Sequence, residues 1–468
     1  MTGVPGRIVS YVRMHRSLVA PMLTGAALRL ALMTAAVALT GTQVMTQGDT
    51  ASYVTPGLSL LHGHFMSGGL PEIDRTPGYP LFMMVTGMIR SNVLAVVLAQ
   101  IGVSVLSLLL VSRIAGRIFS SQGAGQAAAW LYAVEPLSIL YTVRLMPETV
   151  FVLLLLCVID RLLAFYASGK LKTVAAAGVL LAAATLVRPV SYYMVLAFAV
   201  GLAVTATRGR GYWWRAPVVL LVCTAPWLAA WQLRNYAETG YSGFSSIVEK
   251  NLYFYQSAEV TAELEGKSLG TKQRELGYPD DASYLAIHPE QRNWTQAQRL
   301  KYMRSQSVQI LAAHRLLYLK THMAGVAVVA FTPCATEFLQ LLHLYPRESA
   351  MPQRILNEGV FASILRVLRA YPGVAVAMAM LEVILLTFYA LAFFGLFRSN
   401  GGKVHLALLS AVALYFLLIS GGAQAVGRYR LPVMPEICML AGGGVAALKK
   451  SKGEAVEDLA FRDLAMRA

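Results

Sequence analysis

Asp49 follows Gly48 at the close of an apolar run, and Tyr53 stands four residues on. A carboxylate at the start of a helix caps the first backbone N–H groups or serves as an acid or base. It can do both, since a cap leaves one oxygen over. Tyr53 would share its helix face. The polar loop that Asp49 sits in, residues 41–80, ends in Arg75-Thr76-Pro77-Gly78-Tyr79-Pro80. The planar fork of a guanidinium suits phosphate and carboxylate. Asp49 is read as the residue that does the chemistry, and Arg75 as the holder of an anionic leaving group.

Other residues extend this pattern. Arg144, Arg188, Arg428 and Arg430 fall in short connections predicted to lie on the same, outer side as Arg75, with no lysine among them. As a set they point to a shared anionic site. Glu148 lies in Arg144-Leu-Met-Pro-Glu148. It can pair with Arg144 one turn away, although Pro147 weakens the helix there. Alternatively it is a second carboxylate at the mouth of a cavity, positioning substrate or ligating a divalent cation (Mg or Mn) together with Asp49. Glu135, before Pro136 inside an apolar run, is a functional candidate by its position or a partner for backbone freed by the proline. His62 and His64 have no third ligand nearby, which makes a zinc site weak. There is no Walker loop, nucleotide-binding GxGxxG, GxSxG elbow or HExxH. Gly442-Gly443-Gly444 reads as close helix packing.

The elements that must position these residues are membrane helices. Of the 468 residues 56% are hydrophobic and 14% charged, against about a quarter charged in soluble domains. Apolar runs of about 17–25 residues, long enough to span a bilayer, recur along the chain. They are continuous, not alternating as barrel strands are. The net charge of +16 is spread through short loops and forms no dense stripe, so nucleic acid is excluded as a partner. Cys157, Cys223, Cys334 and Cys438 show no metal spacing, and no disulfide is expected. The first apolar run is read as a retained span.

Full spans are predicted at 21–40, 92–111, 125–143, 149–167, 174–186, 190–206, 217–233, 374–396, 404–420 and 431–448. Arg29, inside the first, is expected to snorkel toward the cytoplasmic end. Residues 77–89 are too short to cross. Leaving them re-entrant puts Arg113, Arg117, Lys170, Lys172, Arg208, Arg210 and Arg215 on the cytoplasmic side, as the positive-inside rule requires. Residues 234–308, with Tyr253, Phe254, Tyr255 and Trp294 among charges, predict a small packed outer subdomain. Parity asks residues 310–344 to cross an even number of times, and a hairpin broken at Pro333 is the preferred solution. The domain boundaries are therefore 1–233, an N-terminal transmembrane module; 234–308, the outer subdomain; 309–448, a C-terminal transmembrane module; and 449–468, a cytoplasmic tail.

These motifs resemble the GT-C superfamily of polyprenyl-phosphate-dependent glycosyltransferases, in the branch of protein O-mannosyltransferases and the lipid A aminoarabinose transferase. The resemblance runs through Gly48-Asp49 and Tyr53, then Arg75-Thr-Pro-Gly-Tyr-Pro-Leu-Phe82. It continues in Glu135-Pro136 to Glu148, Leu186-Val-Arg188-Pro189, Pro226-Trp227 and Arg234-Asn235-Tyr236, and ends in Gly427-Arg-Tyr-Arg-Leu-Pro432. It implies an all-α polytopic bundle with juxtamembrane helices in the first outer loop. It implies Asp49 as the catalytic carboxylate and Arg75 at the lipid-linked phosphate. Glu148 falls near a second family acid. The single Asp of Gly48-Asp49-Thr50 departs from the Asp-Glu pair of many protein mannosyltransferases, which leaves lipid, glycan and protein acceptors open.

The resulting expectation is an inverting inner-membrane glycosyltransferase whose site faces the periplasm. Asp49 is its general base, and Arg75, Arg428 and Arg430 bind the donor phosphate. Tyr53, Tyr79, Arg144, Glu148, Arg188 and Tyr429 line the substrate site. The rivals are a lipid-linked sugar flippase without chemistry, which would show inverted repeats; a scaffold of an envelope complex; and a phosphoethanolamine-type transferase, which would want a soluble metal domain.

Overall fold

A computed structural model of the chain describes residues 4–46, 48–206, 214–345, 362, 365–366, 369–398 and 401–467. Arg208 and Arg210, expected on the cytoplasmic side, lie outside the described residues. Among the described residues the fold is helical, apart from a two-residue-per-strand hairpin pairing Met66–Ser67 with Leu70–Pro71. Six helices among the described residues are long and apolar enough to cross a membrane. Apolar side chains such as Leu23, Val200, Val222, Val383 and Phe393 stand more than half exposed on the helices. Such surfaces are at home in hydrocarbon, and the chain is a multi-pass membrane protein.

In chain order, α1 (Val4–Thr40) carries the first span. A 3-10 turn at Thr42–Met45 and α2 (Thr50–Leu60) follow. After the hairpin comes α3 (Gly78–Thr86). Its nine residues measure about 13 Å, too short to cross ~30 Å of hydrocarbon. Next are α4 (Val93–Ile118), α5 (Gln122–Ala133), α6 (Pro136–Thr142), α7 (Glu148–Ser168), α8 (Leu171–Val187), α9 (Met194–Ala206) and α10 (Arg215–Thr239).

The span predicted over 125–143 is in fact broken. α5 stops before Glu135, whose carboxylate accepts bonds from the N–H groups of Leu137 (2.9 Å) and Ser138 (2.5 Å) and caps α6. Glu135 thus serves backbone. Arg29 does not snorkel either. It is 1% exposed, and it donates to Ser104 Oγ (2.8 Å) and to the carbonyls of Gly25 (2.9 Å) and Ala133 (3.1 Å). A guanidinium with three fixed acceptors in the bundle has no reason to reach for water.

The polar stretch after α10 folds as expected into short packed helices: α11 (Ile247–Asn251), a π-helical turn at Leu252–Ser257, α12 (Ala258–Glu265), α13 (Leu269–Glu275), α14 (Asp281–Ile287) and α15 (Gln296–Ala313). Their core is aromatic, with Tyr241, Tyr253, Phe254 and Tyr284 around Leu300 and Met303, and it takes in Ile73 from the first loop.

α16 (Arg315–Phe331) and α17 (Ala335–Leu341) meet at Pro333. The break expected there exists, but the axis turns by 55°, short of the reversal a hairpin needs. α18 (Pro372–Arg398), α19 (Lys403–Ile419) and α20 (Met434–Arg467) complete the bundle. The three glycines of α20 pack as expected. A Cβ on Gly442 would sit 2.5 Å from the Ala124 carbonyl oxygen, one on Gly443 2.4 Å from the Phe119 ring, and one on Gly444 2.2 Å from the Leu391 carbonyl oxygen. The neighbours of Gly442 and Gly444 are backbone and cannot give way. Gly444→Val is therefore expected to cost at least the ~1–3 kcal/mol of an overpacked core, read as a lower thermal unfolding midpoint in detergent.

Candidate active site

α7 gives the molecule two chemically distinct ends. In its C-terminal half Asp160, 2% exposed, meets Arg113 (3.3 Å), Arg117 (2.5 Å) and Arg161. At its N-terminal end stands Glu148, also 2% exposed. Toward Glu148 converge the start of α2, the loop before α3, the end of α8 and the 3-10 segment Gly427–Val433 that leads into α20.

Gly48 takes φ +53°, a left-handed turn that only glycine adopts without strain, and so swings Asp49 onto the start of α2. Asp49 occupies the cap position, yet its side chain makes no cap hydrogen bond. Both of its oxygens go elsewhere. Arg75 Nη2 lies 3.1 Å from Oδ1, and Arg428 Nη2 donates to Oδ2 at 2.9 Å. Arg428 Nε in turn lies 3.6 Å from Glu148 Oε1, and Arg188 Nη2 lies 3.4 Å from the same oxygen. The result is a row of alternating charge: Arg75, Asp49, Arg428, Glu148, Arg188. Three guanidiniums against two carboxylates leave one positive charge, so the row as a whole favours an anion.

Burial pushes the Asp49 carboxyl up, but Arg428 and Arg75 outweigh it and hold the group below the usual carboxylate range. Burial likewise works against the charged form of Arg75, and Tyr53 and Asp49 more than offset it. Both groups are ionised at neutral pH.

Aromatic rings and amides fix this row. Arg75 lies over the Tyr53 ring (4.7 Å) and donates to Ser52 Oγ at 2.9 Å. Tyr79 packs edge-on against Tyr53 and is fully buried, with its hydroxyl donating to Gln100 Oε1 at 2.8 Å. Gln100 Nε2 donates to the carbonyls of Thr142 and Arg144, each at 2.8 Å, and so holds the loop that leads to Glu148. That loop is also laced to the first one: the Leu145 N–H donates to the Met45 carbonyl (3.0 Å), and Thr50 Oγ1 to the Leu145 carbonyl (3.1 Å). Tyr429 lies under both Arg428 (5.3 Å) and Arg188 (5.5 Å).

Of the expected site residues, the structure brings together Asp49, Tyr53, Arg75, Tyr79, Glu148, Arg188, Arg428 and Tyr429. It does not bring Arg144 and Arg430 into the row. Arg144 does not pair with Glu148; it donates to the Glu337 carbonyl at 2.9 Å and packs on Tyr141. Arg430, 2% exposed, donates from Nη1 to the carbonyls of Val329 (2.8 Å) and Ala330 (3.0 Å). In an unbroken helix the Val329 carbonyl would accept the N–H of residue 333, which proline lacks. Arg430 supplies the missing donor. His62 and His64 are exposed, and no group of three or more His, Cys, Asp or Glu side chains converges among the described residues. Sequence reasoning missed Ser52 and Gln100, neutral residues whose importance comes only from what they touch.

With this geometry in hand, comparison with known proteins is informative for one stretch. Residues 74–231 match the family model of dolichyl-phosphate-mannose-protein mannosyltransferases. The match bears out the GT-C resemblance over that stretch. It includes Arg75, Glu148 and Arg188 and leaves Asp49 and Arg428 outside. None of the curated proteins matches the sequence significantly. Among solved structures the chain is similar to the archaeal oligosaccharyltransferase AglB from Archaeoglobus fulgidus, in complex with an inhibitory peptide and a dolichol-phosphate. The identity is 11% and the TM-score 0.43, over 93% of this chain and 52% of that one.

Arg430→Met leaves the Val329 carbonyl without its donor inside the bundle. It is expected to cost about 1–3 kcal/mol of stability, seen in thermal unfolding, while the site row formed by Arg75, Arg428 and Arg188 keeps its geometry.

Proposed function

We propose that the protein transfers a sugar from a polyprenyl-phosphate donor to an acceptor hydroxyl, with Asp49 as the general base. The observation that carries this reading is a carboxylate, free of any capping bond, held between two guanidiniums at the polar end of a membrane bundle. A lipid-linked phosphate arriving there competes with Asp49 for Arg75 and Arg428. As the phosphate draws the arginines off, the carboxylate loses the charges that depress its pKa and becomes a better base.

The acceptor oxygen then attacks the anomeric carbon while its proton passes to Asp49. The bond from that carbon to the phosphate oxygen breaks, and its electron pair stays on the phosphate. Arg75 and Arg428 stabilise the charge that grows there. One displacement inverts the anomeric centre. Glu148 and Arg188, locked behind Arg428, keep its guanidinium aimed. The mannosyltransferase-type match over residues 74–231 supports the donor class. Arg113, Arg117 and Arg161 crowd the opposite end of the bundle, which by the positive-inside rule is cytoplasmic. The site would then face the periplasmic side of an inner membrane. The acceptor, whether lipid, glycan or protein, is left to experiment.

The divalent cation that Asp49 and Glu148 were expected to share fits these residues poorly. Arg428 stands between the two carboxylates, within 2.9 Å of one and 3.6 Å of the other. A cation bridging them would face a fixed positive charge. We assign that electrostatic role to Arg428 itself.

The test is transfer of label from a polyprenyl-phosphate sugar to endogenous membrane acceptors. Asp49→Asn is expected to lower transfer by about 10²–10⁴-fold, the range for losing a general base, with folding retained. Full activity in that variant would sink the mechanism. Movement of labelled lipid across vesicles without consumption of the donor would favour the flippase. In the same assay wild type is expected to keep its activity in excess chelator; loss that is restored by added Mg or Mn would return the metal to Asp49 and Glu148.

A further inference from the structure

The two arginines that bracket Asp49 come from loops far apart in the chain, and neither loop is held by the transmembrane bundle alone. Both are gripped by one helical run of the polar subdomain, the continuous stretch formed by α11, the π-helical turn and α12 (residues 247–265).

At the start of this run the grip is on the Arg75 loop. Lys250 Nζ donates to Asp74 Oδ2 at 2.6 Å, and Ser246 Oγ donates to Asp74 Oδ1. Ser245 Oγ donates to the Asp74 carbonyl at 2.6 Å, and the Ser246 N–H to the Ile73 carbonyl at 2.9 Å. Arg234, at the end of α10, adds bonds to the carbonyls of Glu72 (2.6 Å) and Phe65 (2.7 Å). Glu72, Ile73 and Asp74, the residues just before Arg75, thus each have a polar group fixed from residues 234–250. Burial pushes the Asp74 carboxyl up, but Lys250 and Ser246 hold it below its ordinary range, so the grip carries full charge at neutral pH.

Six residues further along, the grip is on the segment that leads to Arg428. Gln256 Nε2 donates to Gln424 Oε1 at 2.7 Å, and Gln424 Nε2 donates to the Gly421 carbonyl at 3.0 Å. Gly422 takes φ +91°, and a Cβ there would lie 2.2 Å from Gln256 Nε2. The loop therefore needs glycine to accept this side chain. The π-helical turn starts two residues past Lys250 and contains Gln256, ending one residue beyond it. A π turn inserts an extra residue and rotates the helix beyond it, a device seen often near functional sites.

We propose that residues 247–257 act as a spacer, with Lys250 and Gln256 as positioning residues that set the separation of Arg75 and Arg428 around Asp49. Neither residue touches the charged row. Each fixes a loop that does. The separation decides whether two guanidiniums can close together on one phosphate, so the spacer governs donor affinity and leaves the acceptor side alone. This inference rests on the donor-phosphate reading above.

The experiment measures binding of polyprenyl phosphate to the full-length protein in detergent, together with donor and acceptor KM and kcat in the transfer assay. The variants are Lys250→Met, Gln256→Leu, Asp74→Asn and the conservative Lys250→Arg. Lys250→Met and Gln256→Leu are each expected to weaken polyprenyl-phosphate binding and raise donor KM by roughly 10-fold, within the cost of a small misplacement of binding groups. Acceptor KM should stay constant, and Lys250→Arg should restore donor KM. A role in folding alone would lower the active fraction, reducing kcat with donor KM and lipid-phosphate affinity unchanged; that result overturns the proposal. Should one variant fail to fold, Asp74→Asn reads the same contact from the other side with little change of volume. Wild-type protein that neither binds polyprenyl phosphate nor transfers sugar removes the donor reading and this inference with it. Wild-type binding with unaltered variants removes this inference only.

Discussion

A charge beside hydrocarbon must be paired, and the row Arg75, Asp49, Arg428, Glu148, Arg188 is how this protein pairs five of them. Glu148, 2% exposed, depends most on its neighbours: removing Arg188 or Arg428 would strand its charge at a cost of several kcal/mol. The loops that supply these residues come from five places in the chain, and each must arrive together with its neighbours. The membrane helices bring their ends to one level, and the fine positioning comes from neutral groups such as Gln100, Ser52 and the backbone lacing between residues 45–50 and 142–145.

The same demand explains features that have no part in the chemistry. Arg29 answers to Ser104 and two carbonyls, Glu135 to two N–H groups at the start of α6, and Arg430 to the carbonyl that Pro333 leaves without a donor. Each is a charged side chain inside an apolar bundle, and each has been drawn to backbone. An arginine in a span or at its edge is thus not by itself a sign of a ligand. What separates Arg428 from Arg430, two residues apart on the same 3-10 segment, is only the direction in which each points. One meets carboxylates and the other a broken helix.

This is also where the sequence stops being readable. Residue types, their order and the positions of apolar runs were enough to place Asp49, Arg75 and Glu148 at one end of a helical bundle. They sufficed to leave residues 77–89 short of a crossing and to read the glycines of the last helix as packing. Side-chain direction was not legible. Arg144 and Arg430 carry the same local signature as Arg188 and Arg428, and Arg29 sits where a snorkelling arginine would. Asp74 was hidden beside Arg75, since its partner Lys250 is 176 residues away and nothing local marks the pair. The break at Pro333 was visible, but a proline announces a bend without giving its angle.

From Asp49 inward the exposure of the charged row falls: Asp49 is 36% exposed, Arg428 19% and Glu148 2%, with Arg75 at 16% and Arg188 at 14% on the flanks. Dissolved ions, which screen over about 8–10 Å in ordinary buffers, act through water and only weakly through buried surroundings. Salt therefore reaches the Asp49 end and fades toward Glu148. The inner pairs keep their strength whatever the ionic strength outside. The molecule has, in effect, a fixed electrode set into the membrane, with only its tip in contact with the electrolyte.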